Sequence, residues 1–199
     1  MTGTITLTED EILAIEAGLE SPWIAPYWTV DASSPSSIEA GLGRGVRSLL
    51  ARGLITPNDL PADLRVAPEL SAVRTALSAE VSGLLSIENR ELGADSRRPL
   101  LAFALIDAFA VLAVIDPSGL ATFAGTSLGD AVEATTASLR ANLSPDLDPR
   151  VDVVLSLSHN DARLVRANRA GVMGVTGDGE AVPLSVENAL EWLIQGSGH

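Results

Sequence analysis

Polar and apolar positions alternate from Thr4 to Leu7, as in a short strand, and then switch to a helical period. Thr8 and Glu11 have the spacing of a capping box, and Ile12, Leu13, Ile15, Ala17 and Leu19 give a helix to Glu20 a broad apolar face. Ser34-Pro35 is an N-cap and N1 pair, with Ser36 and Glu39 spaced as a further box. That helix runs to about Arg52, and Gly53 suits the left-handed position that ends it. Leu54 and Ile55 read as extended, Asn58 to Asp63 as a turn, and Val66 as the start of strand pairing. Pro68 opens a helix to about Ser78.

Strand patterns dominate from Glu80 onward. Glu80 to Leu92 alternates, and Leu100–Ile106 and Phe109–Ile115 flank Asp107-Ala108 as a tight hairpin. Asp116-Pro117-Ser118-Gly119 is a turn with Pro second and Gly last, and Leu120–Ala124 returns. Ser127 caps a helix to Asn142, and LSPDLDPR breaks regularity. Val151–Ser158, Ala162–Asn168, Val172–Val175 and Ala181–Leu184 are strands, and Ser185 caps a last helix, Val186–Gln195. The middle strands of the first meander are apolar on both sides and must be covered.

Strands in runs with helices between them predict an α+β fold with antiparallel sheet meanders and packed helices. Two blocks share one plan: meander 80–124 with helix 128–142, and meander 151–184 with helix 186–195. The sequence predicts a single domain over residues 1–199, with sub-blocks 1–143 and 151–199.

Charge narrows the function. The formal net charge is −13, which repels phosphate backbones and anionic lipid, so nucleic-acid binding needs a concentrated basic patch. Arg44, Arg47 and Arg52, and then Arg163, Arg166 and Arg169, are the nearest candidates. There is no Cys, and all 13 basic residues are Arg. Thiolate, disulfide, Schiff-base and P-loop lysine chemistry are thereby excluded. The bias toward Arg, Ala and Gly is that of a high-GC, actinobacterial coding genome. The N-terminus lacks a basic region followed by an apolar one, and the apolar run Leu100–Ile115 is short and holds Asp107. The expected location is cytoplasmic.

Catalytic constellations are sparse. A Ser-His-Asp arrangement would have to use His159, whose neighbours Ser156, Ser158, Asn160 and Asp161 are turn-formers, and no G-x-S-x-G elbow is present. The acids Glu9, Asp10 and Glu11 suit a helix start, Asp146 with Asp148 lies in a turn-rich stretch, and Asp178 with Glu180 flanks a glycine in a hairpin. Gly41, Gly43 and Gly45 lie inside a helical pattern, where small residues permit close packing. The sequence predicts no catalytic residue, no metal and no cofactor. Three aromatics in SPWIAPYW, namely Trp23, Tyr27 and Trp28, read either as a plug at the core edge or as a protein-contact patch.

The early TITLTEDEILAI, GVRSLLARGLI followed by VAPELSAVRTAL, and FAVLAVIDPSGLATF leading into helix 128–142 resemble the EspG family. These are cytosolic chaperones of type VII (ESX) secretion in actinobacteria. The resemblance spans residues 1–142. It implies a mixed α/β protein of two similar halves that binds the tips of PE–PPE substrate pairs without catalysis. The chain reads as short for two complete halves, and the part after Asp148 matches nothing in the family. No binding residue is carried over, and a homodimer would replace a missing half. The expected function is non-enzymatic, chaperone-like binding of another protein, such as a secreted helical PE–PPE-like pair, with no membrane. Two rival readings are a winged-helix regulator using helix 35–52 or 68–78 and a binder of anionic small molecules at Arg97 and Arg98.

Overall fold

The computed structural model describes residues 4–17, 31, 33–56, 67–79, 81–92, 96, 98–106, 109–116, 118–143, 146–157 and 163–195. Strand β1 (Thr4–Thr8) leads directly into helix α1 (Glu9–Glu16), followed by α2 (Pro35–Ala51) and α3 (Pro68–Leu77). Four strands come next: β2 (Val81–Asn89), β3 (Arg98–Ile106), β4 (Phe109–Ile115) and β5 (Leu120–Ser127). Helix α4 (Leu128–Asn142) separates them from β6 (Val151–Leu157), β7 (Arg163–Asn168), β8 (Gly171–Thr176) and β9 (Ala181–Leu184), and α5 (Ala189–Gln195) closes the order.

Local chemistry sets most boundaries. Thr8 and Glu11 form the expected capping box. Ser34 caps α2 by accepting from the Ser37 N–H, so the expected Ser36–Glu39 box is not the one used. Gly53 has φ of 69°, and the Gly53 and Leu54 amides donate to Leu50 and Leu49, which is the paired bonding that closes a helix on a left-handed residue. Leu54 and Ile55 are therefore the helix exit packed into the core, not the expected extended segment. Ser127 caps α4, accepting from the Asp130 amide. The last helix begins later than Ser185 implies: residues 186–188 form a turn, and the Ser185 hydroxyl accepts from the Asn188 amide.

All nine strands form one antiparallel sheet in the order β1-β5-β4-β3-β2-β6-β7-β8-β9. The two expected meanders are thus halves of one sheet, joined where β2 pairs with β6 from Gly83↔Leu157 to Asn89↔Val151. Alternation along the strands divides the core. Ala102, Ala104, Val111, Ala113, Ala121 and Phe123 face α1–α3, whereas Leu85, Phe103, Val153, Leu155 and Val165 face α4 and α5. The hairpin β2–β3 lies in the middle of the sheet, so helices 35–52 and 68–78 are followed by core strands and not by the free wing of a winged helix.

Helix α2 crosses α1 at Gly45, where an added Cβ would lie 1.9 Å from the Asp10 carbonyl oxygen. Gly45 is thus a packing device. Gly45→Ala is expected to lower stability by about 1–3 kcal/mol through forced separation of the helices. Gly43→Ala, whose Cβ would meet only the Arg47 side chain at 3.6 Å, is expected to raise it by about 0.5–1 kcal/mol through helix propensity. Urea midpoints of the two variants check this.

Candidate functional site

Two buried carboxylate networks come first, because buried charge is where chemistry is usually sought. Glu11 is fully buried. Its oxygens accept the Thr8 amide at 2.9 Å, the Ser48 hydroxyl at 2.7 Å, and Arg52 Nη1 at 2.8 and 2.9 Å. Burial pushes its pKa up, but the bonds from Thr8, Ser48 and Arg52 outweigh that and hold it below the ordinary value. The same guanidinium donates from Nη2 to the Thr6 carbonyl at 3.0 Å. One arginine therefore ties β1, α1 and the end of α2 together.

The second network sits where the two meanders join. Glu88 and Asp152 face each other across β2–β6 and are 3% and 2% exposed. Arg166 reaches both, at 3.3 and 3.2 Å, and Arg90 reaches Asp152 at 2.6 Å. Asn168 Nδ2 donates to Asp152 at 3.0 Å. Burial raises the Asp152 pKa, and Arg90, Asn168 and Arg166 together bring it below its ordinary value. With their oxygens taken up by fixed donors, Glu11 and Asp152 are structural anions, held in the form opposite to that of a proton donor. Sequence reasoning found the Thr8–Glu11 box but missed Glu88 and Asp152, since each reads as an ordinary polar position of an alternating strand.

The other sequence candidates are also absorbed by structure. Asp10 pairs with Arg44 at 2.7 Å. Arg150 and its backbone amide hold Asp148 down to about 2 in a turn. Asp178 bonds to Thr176 in the β8–β9 turn. Among the described residues, no group of three His, Cys, Asp or Glu could hold a metal. Of the basic candidates, Arg44, Arg52 and Arg166 are spent on acids, and Arg163 lies 4.9 Å over the Trp192 ring. Arg98 starts β3 in an exposed position. Trp23, Tyr27, Trp28, Arg97 and His159 lie outside the described residues.

What remains is an open shelf at one side of the sheet. Helix α4 lies over β3, β4 and β5, and α5 lies over β6, β7 and β8. Beyond α4 the same face continues onto β5 and β1 without a covering helix among the described residues. Val114 is opposite Thr122, Thr122 is opposite Thr6, and Leu120 is opposite Thr8. Val114 is 58% and Leu120 40% exposed, and Thr4, Thr6 and Thr8 are exposed along the edge strand. The Thr6 and Thr122 hydroxyls bond to each other at 2.9 Å.

The flank of α4 that borders the shelf is fixed by its other contacts. Ala131, Thr135 and Leu139 are buried against the sheet, and Arg140 pairs with Glu187, next to α5. A rotation of 100° per residue then turns Ala134, Ser138 and Ala141 toward β5 and β1. Asp130, on that flank, accepts from Thr126 of β5 at 3.3 Å. The shelf thus carries two exposed aliphatic side chains, Val114 and Leu120, among the threonines, and is bordered by small side chains of α4. A surface of that kind can bind a protein.

No protein-family model matches the sequence, and no curated protein matches it. Eleven chains of solved structures match the fold. One is the Mycobacterium tuberculosis type VII secretion system chaperone EspG5, solved in complex with a PE25–PPE41 dimer. The match has a TM-score of 0.53 at 12% identity and covers 97% of this chain and 96% of that one. The likeness is one of fold. It runs through the second meander, so the expectation that residues after Asp148 have no counterpart does not hold. Both meanders lie within one chain, in a single sheet.

Acid stability checks the assignment of the buried anions. Glu11 and Asp152 have pKa values below the ordinary 4.5 and 3.8, so near pH 4 the unfolded chain binds more protons than the folded one. Their stabilisation is complete above that range and is lost as pH falls through the depressed values. The urea midpoint is expected to drop between about pH 5 and pH 3, and Glu11→Gln should flatten part of that drop. Glu11→Ala, which leaves Ser48 and Arg52 without their partner, is expected to cost about 2 kcal/mol at neutral pH.

Proposed function

We propose that the protein is a non-enzymatic, chaperone-like binding protein that holds a helical protein partner on the shelf formed by β4, β5, β1 and α4. The observation that carries this reading is the shelf itself: Val114 and Leu120 stand exposed on a sheet face that is elsewhere roofed by helices. Exposing such a face to water forgoes about 25 cal/mol per Å² of apolar area, so a covering partner gains what the fold leaves unused.

Fold likeness to a type VII secretion chaperone supports the same reading. By analogy, the partner class is a secreted helical pair of the PE–PPE kind, and the protein acts before export, in the cytoplasm. The anionic surface, with net charge −13, favours a protein partner over nucleic acid.

The test is affinity purification of the full chain from its own producing cells, at low and moderate salt, beside a Val114→Arg variant. Val114 is exposed, so the variant should fold with its thermal midpoint unchanged to within about 0.5 kcal/mol of stability. A helical protein pair should co-purify in fixed ratio with the native chain and be lost with the variant. Retention of nucleic acid that vanishes with salt, or equal recovery with both chains, would contradict the proposal.

A further inference from the structure

This inference rests on the reading of the shelf as a protein-binding surface. We infer that its occupant is a single amphipathic helix of a partner protein, lying beside α4 across β5 and β1, with a narrow aliphatic stripe flanked by Lys and Arg.

The dimensions select a helix. Strands lie about 4.8 Å apart, so at the Val114–Leu120 end, where β4 is exposed, β4 to β1 spans two intervals, or roughly 10 Å, which is one helix diameter. Helices α5 and α4 already touch side by side over the sheet, and the strip over β5 and β1 is the next position in that layer. Along the strands, the five residues Thr4–Thr8 give a seat of roughly 17 Å, or about three helical turns.

The side chains select a close-packed one. Ala134, Ser138 and Ala141 let a neighbouring axis approach α4 closely, near the lower end of the usual 8–10 Å range. The Thr6–Thr122 bond occupies one of the pair's two O–H donors, which lowers the cost of laying an aliphatic stripe over them. Both sheet edges resist the alternative of strand addition. Arg52 occupies the Thr6 carbonyl on β1, and Pro183 sits in the four-residue β9.

Charge selects the flanks. Asp116 stands exposed at the turn below Leu120, and Asp130 and Glu133 are exposed on α4. Arg52 is engaged by Glu11, and Arg140, on the opposite flank of α4, by Glu187. A second copy of this chain, itself at −13, would set acids against acids. A helix with basic flanks meets complementary charge.

Two fluorescent helical peptides of about 18 residues test this, with identical Ala/Leu stripes and flanks of Lys in one and Glu in the other. Anisotropy with the full chain should show the Lys peptide binding at least about tenfold more tightly at low salt, with the difference shrinking as salt rises. Methyl NMR should place the shifts at Val114, Leu120, Ala134 and Ala141. Ala141→Trp, an exposed substitution that fills the groove, should abolish binding without changing the thermal midpoint. Equal binding of the two peptides, shifts on another face, or self-association through the shelf would overturn the inference. If these failures occur while Val114→Arg still releases the native partner, the helix assignment falls and the protein-binding reading stands.

Discussion

The pairing of β2 with β6 is the constraint on which the rest of the structure depends. Every other strand hangs from it: β3, β4, β5 and β1 on one side, and β7, β8 and β9 on the other. Its register decides which residues face which helical layer. A slip of one position would exchange Leu85 and Leu155 with Leu84 and Val154 and expose the wrong face to α4 and α5. Glu88 and Asp152 stand opposite each other in this pair, and Arg166 fits between them from β7. Two buried anions side by side are tolerable where their cations, Arg166 and Arg90, are in place, and only this register sets both acids within reach of Arg166.

From that joint the layers follow. The helices α1–α3 fill the face of the first meander, and α4 and α5 meet across the opposite face. The glycines at the crowded crossings follow too. Gly45 brings α2 against α1, and Gly83 admits the Phe103 ring, which would lie 2.0 Å from an added Cβ. Among the described residues, two helices cover this face of the nine-stranded sheet and leave its border short of cover, and the shelf beside α4 is that shortfall. Arg52 does two tasks at this border: it neutralises Glu11 and shields a carbonyl of the edge strand. The molecule thus discourages strand addition at the place where it leaves an apolar face open.

Much of the fold was legible along the chain because the signals were local. Thr8 with Glu11, Ser34-Pro35, Gly53 and Ser127 mark helix ends by chemistry that needs only a few neighbours. Most strands of both meanders read correctly from alternation, and β3 and β4 from their apolar runs on either side of Asp107-Ala108. The union of the meanders into one sheet was not legible, since β2 and β6 are more than sixty residues apart and both read as ordinary half-buried strands. Leu54 and Ile55 looked extended because β-branched and aliphatic residues after a glycine fit a strand as well as a packed helix exit. The shelf was invisible for a related reason. Val114 and Leu120 are apolar, and only the placement of α4 shows that no described helix covers them. The sequence drew attention instead to Trp23, Tyr27 and Trp28, because aromatic residues are the usual anchors of interfaces.

The central claim is that the uncovered face beside α4 is where this protein holds its partner. Hydrogen–deuterium exchange of the full chain, alone and with the partner recovered from its producing cells, tests it most directly. The account predicts added protection over Thr4–Thr8, Leu120–Ser127 and the stretch 134–141, with β6–β9 unchanged. Protection confined to the second meander, or spread evenly as in simple global stabilisation, would contradict it.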